Sequence, residues 1–246
     1  ERLLYRLGVS SHKDNFLLKG ALLFDMWFDV PRRPTRDIDL LGFGLAEEPL
    51  VLAAFQEICD IDCDDGILFN AGSIRVAEIR KEANYSGLRV TLVGDLDGAR
   101  CPVQIDIGYG DAVTPAPKLA DYPVLLKDLP TPRIRVYPRY TVVAEKFEAI
   151  VSLGMANTRL KDYFDLWVLL GTQELDTQLL QKAIAATFSG RQTRMPEFTP
   201  AGLSPTFADD PQKIKQWQAF MQKNQLQAPA LDVVVDFLRA KLIGHA

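Results

Sequence analysis

Apolar residues along this chain follow two regimes, and the change between them falls near residue 138. Before it, most apolar runs are short and bounded by Gly, Pro or Asp; beyond it they recur at helical spacing. The first stretch predicts a helix over 2–8, with Leu3, Leu4 and Leu7 on one side and Gly8 ending it. A polar turn at Ser10, Ser11 and Asp14 leads to a short strand over 16–19. Gly20 permits a tight turn, and 21–28 is apolar enough for a buried helix that must stop before Pro31. A strand is expected over 36–43, closed by Gly42 and Gly44, then a helix over 47–59 on Leu50, Ala53, Ala54 and Ile58. After an acidic turn at 60–65, strands are expected over 74–80, 88–93 and 103–109, with a hairpin connection within 92–98. The proline-rich segment 111–138 ends in a strand over 134–137 and reads as a sheet edge and crossover.

Beyond 139, Val143, Phe147, Ile150 and Val151 predict one amphipathic helix with Thr141 as its N-cap. Further helices are expected over 160–170, 177–188, 211–223 and 231–242, with 190–210 as polar loop. No internal repeat is present. The pattern therefore predicts an α+β protein, with a mixed α/β lobe over 1–138 and a helical lobe over 139–246.

Composition narrows the class. With 48% hydrophobic and 24% charged residues the chain reads as an ordinary globular protein. No apolar run approaches the ~18 residues of a membrane span, and the longest is broken by Asp25. No signal-peptide pattern opens the sequence, which starts at Glu1. A net charge of −4 excludes bulk polycationic binding, so nucleic-acid contact would need a local patch. Three basic sets are candidates: Arg32, Arg33 and Arg36; Arg133, Arg135 and Arg139; Arg191 and Arg194. Cys59 and Cys63 could share a helix face, and with Cys101 they read as reduced thiols of a cytoplasmic protein. His12 and His245, one near each end, supply no zinc set and weaken a Ser-His or Cys-His hydrolase reading.

The candidate chemistry centres on carboxylates. In Asp37-Ile38-Asp39-Leu40 the two acids project from one side of a strand, roughly 7 Å apart at Cα. Paired carboxylates on one face repel unless a cation lies between them, and hard oxygen ligands suit Mg²⁺ with its bound phosphates; the bland alternative is a solvated strand end. A second acid, Asp106, sits alone in the apolar strand 103–108. If the two strands are neighbours, Asp106 completes a triad able to hold two ions roughly 3.5–4 Å apart; otherwise it is an edge-strand charge. Asp111 is a weaker candidate. On the helices, Lys146 precedes the core-like Phe147 and is either a solvated lysine or a triphosphate contact. Arg159, Asp162 and Asp165 share a face, with Lys161 and Asp165 at i, i+4; the plain reading is surface ion pairs.

Taken in order, Lys19-Gly20-Ala21-Leu22-Leu23, Arg33-Pro34-Thr35-Arg36-Asp37-Ile38-Asp39, the Asp106 strand, Ala144-Glu145-Lys146-Phe147 and Arg159-Leu160-Lys161-Asp162-Tyr163-Phe164-Asp165 resemble the AbiEii/AbiGii-type nucleotidyltransferase toxins. These are toxins of type IV toxin–antitoxin and abortive-infection systems and include MenT-like enzymes. The resemblance spans about residues 2–170. It implies a polymerase-β-like core with a C-terminal helical lobe, and transfer of NMP from an NTP with Mg²⁺ or Mn²⁺. The acceptor it implies is RNA, a tRNA 3′ end, and the partner a cognate antitoxin. By position it makes Asp37, Asp39 and Asp106 the metal ligands. Lys19, Gly20, Ala21, Arg36 and Lys146 become nucleotide contacts, and Asp162 and Asp165 the downstream acidic motif. The turn is Gly20-Ala21 where many relatives have Gly-Gly or Gly-Ser, which removes a hydroxyl and keeps the backbone N–H groups. Nucleotidylation of a protein, or a non-catalytic nucleotide- or antitoxin-binding module, are the alternatives.

Overall fold

The computed structural model describes residues 1–28, 34–82, 85–172 and 174–243, apart from the side chains of 80–82 and 85–86. Arg32 and Arg33 of the basic turn, and His245, lie outside the described residues. The chain forms two compact units, one of residues 1–111 and 117–137, the other of 112–116 and 138–246.

The first unit is built on one sheet of seven strands. They are β1 (Phe16–Lys19), β2 (Asp37–Gly42), β3 (Ile67–Glu82), β4 (Tyr85–Leu96), β5 (Ala99–Tyr109), β6 (Lys118–Asp121) and β7 (Arg133–Val136). Their order is β3-β4-β5-β2-β1-β7-β6. The sheet is mixed: β2 runs parallel to β5 and β1 to β7, and the other pairings are antiparallel. In-register residues share a face, so alternation sorts the centre of the sheet by row. Leu18, Leu40, Ile107 and Leu88 form one apolar row across β1, β2, β5 and β4, each 2% exposed or less. The apolar helix α3 (Glu48–Cys59) covers this face, with Phe55 against Phe16 at 5.6 Å between centroids. Helix α1 (Arg2–Val9) runs through Gly8 rather than stopping there. It is anchored by Arg6, whose guanidinium grips both oxygens of Asp65 at 2.6 and 2.9 Å.

The hairpin expected within 92–98 turns on Asp97 and Gly98, both at positive φ, which suits the right-handed twist of the strands it joins. Its strands are longer than the apolar pattern indicates. β3 starts at Ile67 rather than 74, with a register shift between Asn70 and Arg75 that hides its periodicity. The expected helix over 21–28 is a 3-10 turn over Gly20–Leu22 followed by the short helix α2 (Leu23–Trp27). Helix α3 ends at Cys59, so Cys63 lies beyond it and shares no helix face with Cys59. The Cys59 thiol is buried, which pushes it up to about 11.

The second unit is helical: α4 (Arg139–Leu153), α5 (Leu160–Thr172), α6 (Thr177–Gly190), α7 (Pro205–Ala208), α8 (Pro211–Lys223) and α9 (Leu231–Leu242). Thr141 is not the N-cap of α4. That position is Pro138, and the Thr141 hydroxyl instead donates to the Thr114 carbonyl at 2.9 Å and accepts its N–H at 3.0 Å. The segment 190–210 is not all loop. It holds a 3-10 turn at Ala201–Leu203 and the short α7, capped by Ser204. Tyr163 stacks on Phe207 at 5.1 Å and donates to the Gly202 carbonyl, which ties this segment to α5. Among the described residues no helix is long and apolar enough to cross a membrane.

Candidate active site

One residue beyond the apolar row, the next row projects from the opposite face, and every member is charged. Lys19, Asp39, Asp106 and Arg89 stand in register across β1, β2, β5 and β4. Asp37 lies two residues along β2 on the same face, opposite Gln104. The parallel pairing of β2 with β5 thus brings Asp39 beside Asp106, although 67 positions separate them in the chain.

Each carboxylate has a distinct setting. Asp39 lies against the turn that follows β1. Gly20 has φ +75°, and a Cβ built there would fall 2.3 Å from Asp39 Oδ2. The carboxylate occupies the space a side chain at position 20 would need, so both conformation and room demand glycine. Asp106 is 7% exposed and is held by Arg89, whose Nε and Nη2 donate to its two oxygens at 2.8 and 3.0 Å. That bond, with the nearby charges of Asp106 and Asp37, raises the Arg89 pKa above its ordinary value. Asp111 is the partner of Lys19, whose ammonium donates to it at 2.5 Å. The Lys19 ammonium also lies 4.9 Å from the centre of the Tyr137 ring. The Tyr137 hydroxyl reaches Asp111 at 3.3 Å. Ala21 is buried, and Arg36 is exposed immediately before β2.

In the second unit Lys146, on α4, bridges two acids of α5: Asp162 at 2.7 Å and Asp165 at 2.8 Å. Arg159 Nε approaches the other oxygen of Asp162 at 2.7 Å. These are not the surface ion pairs that spacing alone suggests, since both carboxylates are fully buried. Burial alone would raise the Asp162 pKa; Lys146 and Arg159 outweigh it and hold the carboxyl below its usual range. A second buried cluster was not legible in the sequence. Glu148, also on α4, accepts from Arg191 at 2.7 Å and from the Thr193 hydroxyl at 2.6 Å. Arg194 pairs with Glu197, so the basic set at 191 and 194 is spent on separate acids. Arg135 likewise donates to the Asp14 carbonyl at 2.7 Å. Arg89 had one available signal: like Asp106, it is a lone charge in an apolar strand, Leu88-Arg89-Val90.

Three carboxylates on adjoining positions of one face are the hard donors a divalent cation takes, and the glycine cradle leaves Asp39 room to present its oxygens. The residues therefore fit such an ion. Their side chains do not form a closed cage: among the described residues, no three His, Cys, Asp or Glu side chains converge closely enough to hold a metal. Asp106 is engaged by Arg89, which donates to both of its oxygens.

The architecture is the nucleotidyltransferase α+β fold, a mixed sheet with a charged row on one face and flanking helices. Two solved Helicobacter pylori structures share it. JHP933 is 14% identical at a TM-score of 0.54, over 99% of this chain and 90% of its own. A protein described as a candidate nucleotidyltransferase is also 14% identical at 0.54, over 100% of this chain and 93% of its own. No curated protein matches. The model of the nucleotidyl transferase AbiEii toxin family, of the type IV toxin–antitoxin system, matches residues 2–237, and the chain belongs to that family.

Proposed function

We propose that the protein is a metal-dependent transferase that moves a nucleoside monophosphate from an NTP to the 3′ end of an RNA, a tRNA by family resemblance. In this reading it is a cytoplasmic toxin restrained by a cognate antitoxin. The observation that carries the reading is the register of β2 and β5, which sets Asp39 beside Asp106 with Asp37 on the same face and the Gly20 turn against Asp39.

Asp37, Asp39 and Asp106 would hold Mg²⁺ or Mn²⁺, which supplies positive charge to the phosphate oxygens. The turn at Gly20-Ala21 would present backbone N–H groups to the phosphates, with Arg36 at the rim. The acceptor hydroxyl oxygen forms a bond to the α-phosphorus as the bond to pyrophosphate breaks. Asp106 orients that hydroxyl and takes its proton. By family resemblance, Lys146 of the helical unit would be a nucleotide contact. Asp162 and Asp165 are positioning residues that fix its ammonium.

The test is incubation with total RNA and each α-labelled NTP in turn. Labelled RNA and released pyrophosphate are expected, with both abolished in Asp39→Ala. Undiminished transfer by Asp39→Ala overturns the assignment. Label on protein would move the acceptor to a polypeptide, and NTP binding without pyrophosphate release would reduce the chain to a binding module.

A further inference from the structure

The sheet face that carries the carboxylates continues beyond β5. Register extends the row of Asp37 through Gln104 on β5 and Thr91 on β4 to Arg75 on β3. At strand spacings of about 4.8 Å, Arg75 stands roughly 10 Å from β5 at Cα. Arg75 and Thr91 are exposed and Gln104 is half-buried. Just before Arg75, β3 bulges: Ala71, Gly72, Ser73 and Ile74 stand opposite Leu92 alone. Side chains pin this bulge. The Ser73 hydroxyl donates to the Asn70 carbonyl at 2.6 Å and accepts the Val93 N–H at 2.9 Å. Arg75 Nη1 donates to the carbonyls of Gly72 and Ile74 at 3.0 and 2.8 Å. Those bonds fix the arginine through one nitrogen, and it pairs with no acid among the described residues. Bulges re-aim side chains and recur beside active sites.

We infer that this strip of the sheet seats the single-stranded 3′ end of the RNA acceptor, with Arg75 on a backbone phosphate and Thr91 and Gln104 on sugar hydroxyls. The inference rests on the transferase reading above. Direction comes from the order of the strands. The Gly20 turn follows β1, the Asp-x-Asp pair lies on β2 and Asp106 on its neighbour β5, with β4 and β3 next. In-line displacement sets the attacking hydroxyl opposite the departing pyrophosphate. With the triphosphate on the β1 side, the acceptor hydroxyl comes in over β5, and the nucleotides behind it lie on β4 and β3. The side chains there suit an RNA strand. An arginine fork matches a phosphate. A threonine hydroxyl and a glutamine amide both donate and accept, as a 2′-hydroxyl does. Neither Thr91 nor Gln104 bonds through its side chain to another described residue, so both are open to a ligand. A polypeptide acceptor would bring no phosphate for Arg75 to meet.

The test is fluorescence anisotropy of a 5′-fluorescein single-stranded RNA octamer with a free 3′-hydroxyl, on the full chain without NTP, beside label transfer to total RNA. Arg75→Gln is expected to bind the octamer about tenfold more weakly. It should also flatten the slope of log affinity against log salt by about 0.7, the share of one phosphate on a single strand. Its KM for RNA should rise while its kcat and its KM for NTP hold. Arg75→Lys, which keeps the charge and loses the fork, is expected to fall between it and the wild type. Arg100→Gln removes the same charge from an exposed arginine at the hairpin end of β5 and is expected to bind as the wild type does. Wild-type affinity and salt slope in Arg75→Gln, or equal losses in Arg75→Gln and Arg100→Gln, overturn the strip and leave the transferase reading standing. Octamer binding that weakens in Arg75→Gln, with no label transfer by the wild type, keeps the strip and overturns the transferase. No octamer binding by the wild type overturns the strip even where label still reaches RNA.

Discussion

Lys146 faces two fully buried carboxylates at 2.7 and 2.8 Å, an arrangement whose value depends on every member being present. Removing one partner of a buried ion pair leaves an uncompensated charge, at a typical cost of about 3–5 kcal/mol. Lys146→Met is therefore expected to lower unfolding stability by about that amount in urea titrations. Combining it with Asp165→Asn should recover part of the loss, because one fewer charge is then stranded. Label transfer should stay abolished in both variants. Recovered activity in the stable double variant would reduce Lys146 to a structural strut.

At the scale of the element, the turn joining β1 to the helices after it decides where Asp39 can stand. Gly20→Ala must place a Cβ at positive φ, which costs about 1–2 kcal/mol, and must push Asp39 from the position its Oδ2 now holds. Its expected signature is a Mn²⁺ affinity loss far larger than the modest drop in unfolding midpoint; unchanged Mn²⁺ binding would sink the cradle. This turn and the Asp-x-Asp strand were legible in the sequence because both are local: a glycine before an apolar run, and alternation over six residues. The helices of the second unit were legible for the same reason. The pairing of β2 with β5 was not, because alternation tells which face a residue takes and not which strand lies beside it. The length of β3 escaped because its register shift breaks the period. Arg89 and the Glu148–Arg191 contact escaped because each partner is named only by tertiary structure. Thr141 misled because a threonine near a helix start fits a cap as well as it fits the bond it makes to Thr114.

Across the whole molecule, buried acids are balanced by basic partners, and this governs how the protein meets acid. Asp65 is gripped by Arg2 and Arg6 in the first unit, and Asp162 by Lys146 and Arg159 in the second. In both, burial pushes the carboxyl up and the bonds and charges of these partners outweigh it, so the folded pKa lies below the ordinary one. The unfolded chain then binds more protons than the native one in acid, and stability rises with pH through that range. Each carboxylate's contribution is complete above the ordinary Asp range near about 4. It declines as pH falls below that range and is gone once pH passes the folded value. Trp27 belongs to the first unit and Trp167 and Trp217 to the second, so fluorescence in a Trp27→Phe background follows the second alone. Urea midpoints between pH 3 and 7 should fall steeply at the acid end in both signals. Asp162→Asn should lower the pH 7 midpoint of the second unit and flatten its acid limb, while Asp65→Asn leaves that limb steep. An acid limb equally steep in Asp162→Asn would show that the acid sensitivity of the helical unit lies elsewhere.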